Sequence, residues 1–519
     1  MGKTRKTLKE RLQAKEFIVT WELVPGRGAW EPCQEKVLKL AEQAAKGNLV
    51  HAVSLTDNPG GHIGIKPEVI GKEIADMGLE TIIHLTCKDK NRSQLESQLY
   101  ALERLGLHNI LVLTGDYVVE GSWGTPKPVF DLDSTQLLQL ITAMKRGLEA
   151  PSSKQTVFQP ANFCVGAVVS PFKATEAEVK LQYSKLRKKI ANGAEFIVSQ
   201  VGYDARKYHE LLLVARQNNW QIPLFGNIFL LTYQAAKLMN QQKFPGCVVT
   251  DKLLAEVELE RASADKGAQK RLERAAKLYA VLKRMGYQGV HIGGLDVAYE
   301  QVAYIINRGE EYLANWQELI REFVYPQDQG YYLFAPDEKT GLNKEEMAPP
   351  PAKDDTKQEL RYKISRRFHK LFFVPEKNLF PAMRSLSAKI EGTRLEKGFH
   401  ALEHSLKAAL YNCQDCGDCA LIDTAYVCPM GDCPKNQRNG PCGGSYYGWC
   451  EVYPGQKKCI WVRAFANLKK YREEENLNSY QVNPCNWKLK NTSSWLNFYL
   501  GKDHSAERLK ISHPKKKGD

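Results

Sequence analysis

Between residues 17 and 293, short apolar runs alternate with stretches of helical periodicity, and no other feature narrows the possible folds as much. The runs are Phe17–Leu23, Val50–Thr56, Thr81–Thr86, Asn109–Thr114, Phe163–Val169, Glu195–Val201, Pro223–Ile228 and Gly289–Gly293. Most are continuously apolar, the pattern of strands buried on both faces. The stretches between them, Gln34–Lys46, Pro67–Met77, Ser93–Gly106, Ser134–Leu148, Glu176–Asn192, Ala205–Asn218, Leu231–Gln241 and Val257–Gly286, read as helices. In the last, Leu259, Ala262, Leu272, Ala276, Tyr279, Leu282 and Met285 make one apolar stripe that belongs in a core. Eight strands and eight helices in strict alternation predict a (β/α)8 TIM barrel over residues 1–325. A doubly wound sheet is the alternative, but no GxGxxG follows the first strand.

A barrel of this kind builds its active site at the C-terminal ends of its strands. Polar residues concentrate there: Glu22 after the first run, Thr56, Asp57 and Asn58 after the second, His84 and Thr86 on the third. Thr114, Gly115 and Asp116 close the fourth, and Gln200 closes the sixth. Polar groups that end apolar strands are costly unless they have partners or work. Loop capping explains one or two of them, and five strands converging on one rim point to a site.

The second constraint is cysteine. Eight of the thirteen cysteines fall between residues 413 and 459: Cys413, Cys416, Cys419, Cys428, Cys433, Cys442, Cys450 and Cys459. Cys413-x2-Cys416-x2-Cys419 has the spacing of the first three ligands of a bacterial [4Fe–4S] run, and Cys428-Pro429 supplies a fourth cysteine before proline. Four thiolates also satisfy structural zinc, and eight can hold two sites. Disulfides fit poorly, since the N-terminus, MGKTRKTLKERLQ, offers no apolar h-region and reads as cytoplasmic. Gly440, Gly443 and Gly444 allow close backbone approach to a cluster or a flavin edge.

At 519 residues the chain needs more than one core. No apolar run approaches the roughly 18 residues of a membrane span. The net charge of +14 is diffuse, densest in the tail from His513 to Lys517, and no nucleic-acid motif accompanies it. Residues 326–358, with Pro349, Pro350 and Pro351, read as an exposed linker of polyproline character in which Tyr331–Phe334 is an apolar island able to dock on the barrel. Residues 359–519 read as a smaller helical, cysteine-rich metal-binding domain, with Phe368, Leu371, Phe372, Phe399, Leu402, Leu406 and Leu410 on helical stripes. Cys485 stands apart as a buried thiol.

The barrel half resembles the methylenetetrahydrofolate reductases, flavin enzymes that make methyl-tetrahydrofolate. The resemblance covers about residues 15–310 and rests on Trp21-Glu22-Leu23-Val24-Pro25, Val53-Ser54-Leu55-Thr56, His84-Leu85-Thr86-Cys87, Leu113-Thr114-Gly115-Asp116, and Asn192-Gly193-Ala194 leading to Gln200. It implies Glu22 as the general acid that opens the five-membered ring of methylenetetrahydrofolate. It implies Asp116 between flavin and pterin, Gln200 as a pterin-binding amide, and Thr56, His84 and Lys189 at the flavin, with Lys185, Arg187 and Lys188 as alternatives to Lys189. A carboxylic acid kept near neutrality suits the proton delivery. Many members have Arg-Gly-Asp where this chain has Thr114-Gly115-Asp116, and Tyr-Pro-Glu-x-His where it has Val168-Val169-Ser170-Pro171-Phe172. FAD and FMN therefore both stay open. No nicotinamide-stacking aromatic is apparent at Phe229-Leu230-Leu231-Thr232.

The last third resembles the cysteine-rich domain that accompanies these reductases in some anaerobic bacteria. The shared pieces are Cys413–Leu421, Cys428-Pro429, Asn439-Gly440-Pro441-Cys442-Gly443-Gly444, Cys450-Glu451-Val452 and Cys459-x-Trp461. The resemblance implies a [4Fe–4S] cluster that passes electrons to the flavin from a donor protein such as a ferredoxin, and assembly as a homo-oligomer or within a redox complex. Two other readings remain: a reductase fed by NAD(P)H with structural zinc, and a non-catalytic electron-transfer adaptor for another one-carbon enzyme.

Overall fold

The computed structural model describes residues 5–150, 153–349, 359–377 and 379–513. Pro350, Pro351 and Asp354–Asp355 of the expected linker, and the basic block from 514 to 517, lie outside the described residues. Eight parallel strands close into a barrel: β1 Ile18–Leu23, β2 Ala52–Leu55, β3 Glu80–Thr86, β4 Asn109–Leu113, β5 Cys164–Val169, β6 Phe196–Ser199, β7 Leu224–Leu230 and β8 Gly289–Gly294. Closure is by β1 on β8, with Ile18 opposite Gly289 and Trp21 opposite Ile292. The alternation thus folds as it predicts.

Because side chains alternate faces along a strand, every second residue points into the barrel. Ile18, Ala52, Ile82, Leu111, Phe196 and Phe225 fill the floor, with Leu8 of helix α1 (Leu8–Gln13) packed into the same cluster. Two residues further along, the same faces carry Thr20, Ser54, His84, Asn227 and His291, and the next step reaches Glu22 and Thr56. The interior therefore changes from apolar to polar between floor and rim. The outer faces of the strands meet helices α2 Pro32–Gly47, α3 Pro67–Asp76, α4 Arg92–Leu105, α5 Ser134–Met144, α6 Glu176–Ala191, α7 Ala205–Gln217, α8 Tyr233–Asn240, α9 Asp251–Glu260, α10 Ala268–Met285 and α11 Tyr299–Glu311 in one large core.

Three expectations are corrected. Val257–Gly286 is two helices, α9 and α10, because Asp265 caps a turn by accepting from Gly267 N at 3.1 Å and Gln269 N at 2.7 Å, and Leu259 is exposed. The helix expected to run to Leu148 stops at Met144, and Glu149–Ala150 pairs with Ser153–Val157 as a ribbon before β5. Residues 331–347 are a docked hairpin instead of an open linker, with Phe334–Asp337 antiparallel to Leu342–Met347. The reason is packing: Phe334 is fully buried, and Lys207 Nζ on α7 donates to Tyr331 O at 2.7 Å.

The remaining chain forms helices α12 Leu360–Phe372, α13 Leu379–Ile390 and α14 Arg394–Tyr411, the cysteine segment, α15 Ile460–Lys469 and α16 Ser494–Tyr499. Trp461 and Phe465 of α15 and Val427 share a hydrophobic cluster with Ala177 and Leu181 of α6. A barrel helix is thus also part of the second core. That explains why α6 is buried nearly all round, lysines included. Among the described residues no helix is long and apolar enough to cross a membrane.

Glu210 on α7 is fully buried and accepts from Tyr183 Oη at 2.9 Å, Lys207 Nζ at 3.2 Å and Leu333 N at 2.5 Å. Glu210→Ala takes the carboxylate from the buried Lys207 ammonium, leaving it Tyr331 O, and is expected to remove about 3–5 kcal/mol of stability. Chemical denaturation checks the loss, and limited proteolysis should then cut first at the 331–347 hairpin.

Candidate active site at the barrel mouth

A cavity of about 240 Å³ opens at the C-terminal ends of the strands. Glu22, Thr56, Asp57, His84, Thr86, Thr114, Gly115, Asp116 and Gln200, the rim residues singled out in the sequence, line it with Lys189; Asn58 does not. His291 of β8, Asn227 of β7, Ser170 after β5 and Gln182 of α6 complete the barrel side. Sequence reading passed over these four. The available signal for His291 and Asn227 was parity, since each is a polar residue at an inward position of an apolar strand.

Glu22 Oε2 lies 3.5 Å from His291 Nε2. On the other side of that ring, Nδ1 is 2.8 Å from Thr20 Oγ1, whose hydroxyl donates to Val290 O at 3.2 Å. This pattern assigns the Nδ1 proton to the Thr20 bond and leaves Nε2 facing the Glu22 carboxylate. Burial pushes the Glu22 carboxyl up, while the hydrogen bond and charge of His291 and the charge of His84 bring it below the usual range overall. The Glu22 side chain is 29% exposed and lines the cavity, so a ligand bound there removes water from it, which acts in the raising direction. His84 donates to or accepts from Ser54 Oγ at 2.6 Å, and burial lowers it to about 4, so the ring is neutral.

Asp57 Oδ2 accepts from Thr86 N, Thr86 Oγ1 and Lys90 Nζ at 3.0, 2.8 and 2.5 Å. Asp116 Oδ2 accepts from Gly60 N at 2.7 Å, and Gln200 Oε1 from Val201 N at 2.8 Å. Five buried polar atoms in the wall have no protein partner: Thr56 Oγ1, Asp57 Oδ1, Ser170 Oγ, Gln182 Nε2 and Asn227 Oδ1. Such groups are normally satisfied, and their convergence on one cavity is the chemistry of a ligand site. Donors and acceptors beside apolar Leu111, Leu113, Val168 and Val198 fit a flat heteroaromatic ring system, flavin and pterin included.

The rest of the wall belongs to the cysteine domain. Lys435, Cys442, Gly443, Gly444 and Glu451 face into the same cavity. Lys435 Nζ pairs with Glu451 and donates to Gly115 O at 2.8 Å. Lys173 Nζ donates to Gly443 O and, at 2.6 Å, to Ser445 O. Lys185 Nζ donates to Gln437 Oε1 at 2.7 Å and Gly440 O at 3.1 Å. Lys189 Nζ donates to Val168 O at 2.6 Å.

The eight cysteines separate into two groups of four. Cys413, Cys416, Cys419 and Cys428 line one small cavity with His400, His404 and Lys407. Cys433, Cys442, Cys450 and Cys459 line another, which shares Lys435, Cys442 and Glu451 with the barrel cavity. Among the described residues no three cysteine sulfurs lie within 4.8 Å of one another. Cys485 is not isolated: it is buried and hydrogen-bonded to Cys416, which with Arg438 holds its thiol below the ordinary range against its burial. Asp418, Asp503 and His504 also converge, but His504 is held between Asp418 at 2.5 Å and Asp423 at 2.8 Å, as in a structural ion network.

The fold and site define a TIM-barrel protein with an acid–imidazole pair at its mouth and a cysteine-rich domain as its lid. A family model described as methylenetetrahydrofolate reductase matches residues 7–308, more than half of the chain, and the chain belongs to that family. A second, described as methylene-tetrahydrofolate reductase C terminal, matches residues 393–488. Methylenetetrahydrofolate reductase 2 of Saccharomyces cerevisiae is 26% identical over 202 residues, 38% of this chain and 31% of its own length. Methylenetetrahydrofolate reductase 1 of Schizosaccharomyces pombe is 24% identical over 165 residues, 32% of this chain and 25% of its own. The chain thus spans a third or less of these relatives. A solved structure of an uncharacterized Clostridium thermocellum protein, which binds two copies of 5-methyl-5,6,7,8-tetrahydrofolic acid, is 12% identical with a TM-score of 0.40, covering 59% of this chain and 99% of that one.

Gly440 sits at φ +132°, and a Cβ there would stand 2.9 Å from Lys185 Cβ. Gly440→Ala is expected to cost about 1–3 kcal/mol in strain and to loosen the lid locally. Hydrogen exchange should accelerate between Gln437 and Ser445 and stay unchanged in the barrel strands.

Proposed function

We propose that this chain reduces 5,10-methylenetetrahydrofolate to 5-methyltetrahydrofolate on a flavin bound in the barrel mouth, with electrons arriving through the cysteine domain. The observation that carries the reading is that one cavity is lined both by the Glu22–His291 pair and by Cys442 of a four-cysteine group. Bound flavin supplies the hydride. Glu22 delivers the proton that lets the five-membered ring open, and His291 replaces it. Asp116 and Gln200 pair with the pterin edge. Thr56, Asp57 and Ser170 offer polar atoms to the flavin, and Ser54 behind the neutral His84 ring fixes that ring at the cavity wall.

Of the two lysines that line the cavity, Lys435 is already paired with Glu451, so Lys189, whose ammonium donates to Val168 O, is the cation for a phosphate. One phosphate favours FMN over FAD. For the cysteine groups, a single zinc with Zn–S near 2.3 Å would bring its sulfurs to about 3.8 Å from one another. The wider setting, and two complete sets of four thiols, favour two [4Fe–4S] clusters. Cys428 and Cys433 end one set and open the other five residues apart, a span of at most about 18 Å, shortened by the Asp432 N to Cys428 O turn. With clusters held by these two groups, the inner one would stand between the outer one and the barrel cavity, with which it shares Lys435, Cys442 and Glu451, and would supply electrons there.

Glu22→Gln is expected to lower folate reduction by at least about 10²–10⁴-fold with flavin affinity unchanged; a fully active variant removes Glu22 as the acid. Anaerobically purified protein should carry roughly eight irons and eight sulfides per chain, and Cys459→Ser about half of each, as measured by iron and sulfide analysis.

Burial pulls the Lys189 ammonium down to about 7. A phosphate beside it restores the charged form, so flavin binding takes up a proton above that value. FMN affinity should be highest below about pH 7 and fall by up to about tenfold per unit above it. Lys189→Met should flatten the profile in a fluorescence titration.

A further inference from the structure

Helix α14 is built inside out. Its buried residues are the charged Glu403 and Lys407, while Leu402, Leu406 and Leu410 are 60%, 47% and 48% exposed. These leucines recur every four residues and share one face. The charged pair is buried for a reason: Lys407 Nζ donates to Cys419 Sγ at 3.2 Å, Ser494 Oγ at 2.6 Å and Glu403 Oε1 at 3.2 Å, at the wall of the outer cysteine group. Nothing comparable explains the leucines.

Helix α12 extends the patch. Ile364, Phe368 and Leu371 are 61%, 41% and 52% exposed, and α12 is tied to the end of α14 where Arg361 donates to Leu410 O and Ser365 Oγ meets Tyr411 Oη at 2.5 Å. Exposed apolar side chains on two helices that meet at one end mark an interaction site. It is also strongly basic. On α12 and α14 the exposed charged residues are Lys363, Arg367, Lys370, Arg394 and Lys397, with Glu396 half-buried among them.

We propose that the α12–α14 face docks an acidic one-electron carrier protein that reduces the outer cysteine group. The inference rests on the reading of that group as an electron-accepting centre. Helix α14 itself supplies His400, Glu403, His404 and Lys407 to the centre's wall, so whatever covers its leucines stands next to the entry point for electrons. A second copy would set these exposed cations against their own likes, and a lipid surface would cover the entry without supplying an electron. In each encounter the carrier loses one electron and the outer centre gains one. Two encounters provide the electron pair of one hydride, whose proton comes from solvent.

The test uses the full-length, iron-loaded protein with a purified acidic bacterial ferredoxin as the probe, and reduced methyl viologen as a donor that needs no docking. The variants are Leu402→Glu with Leu406→Glu, and Arg367→Glu with Lys370→Glu, all at exposed positions. Calorimetric ferredoxin affinity and stopped-flow reduction by ferredoxin should each fall at least tenfold in both variants, with viologen reduction unchanged. Equal ferredoxin binding by wild type and variants overturns the surface. Failure of viologen to bleach the wild-type centres defeats the underlying electron-entry reading instead, while the calorimetry still judges the surface. Binding to phosphatidylglycerol vesicles, or a concentration-dependent dimer, that is lost in the leucine variant while ferredoxin binding is not, gives the face to lipid or to a second copy and overturns the proposal.

Discussion

Three buried ammonium groups hold this molecule together as one functional unit. Lys173 and Lys185 rise from the barrel into the backbone carbonyls of residues 440–445, and Lys435 descends from the cysteine domain onto Gly115 O. A charge removed from water has to be fully partnered; Lys173 and Lys185 find hydrogen-bond partners across the domain boundary, and Lys435, paired with Glu451 in its own domain, adds one there. Hydrogen bonds to charged groups contribute about 1.5–3 kcal/mol each. The larger effect lies in their removal: without the cysteine domain, two ammoniums near the barrel rim would be left in an apolar setting. Barrel and lid are therefore conditions of each other's stability.

Much of this was legible beforehand because of simple periodicities. A strand buried on both faces has to be apolar throughout, so a polar residue at its end, such as Glu22 or Asp116, announces itself. The same rule applied to inward parity would have exposed His291, which interrupts an otherwise apolar β8. What a linear reading lacks is distance. Gln182 and Lys435 lie 253 positions apart in the chain and meet in one wall only after the helices have packed. Cysteine spacing gave the number of thiols, and the division into two groups depended on how residues 413–459 turn back on themselves.

Helix propensity misled in an instructive way. The stripe at Leu402, Leu406 and Leu410 has the spacing of a core, yet it faces solvent, because the buried side of α14 is reserved for the Glu403–Lys407 pair at Cys419. Conversely α6 has almost no amphipathic pattern, since one side faces the barrel and the other faces Val427, Trp461 and Phe465. Amphipathicity reads a single interface, and it fails both for a helix with two interfaces and for a helix whose second one is supplied from outside the chain.

Barrel order separates the two halves of the proposed chemistry. The acid pair stands on β1 and β8, which are neighbours in the closed sheet, and the cysteine domain is anchored after β4, after β5 and on α6, the opposite side. A ring system lying across the cavity then has its proton source at one wall and its electron source at the other. A hydride donor would bring two electrons with one hydrogen nucleus, and the ring-opening proton would still have to come from Glu22. When electrons come singly through a metal centre, protons need a route of their own, and the Glu22–His291–Thr20 series on the far wall is placed to be one.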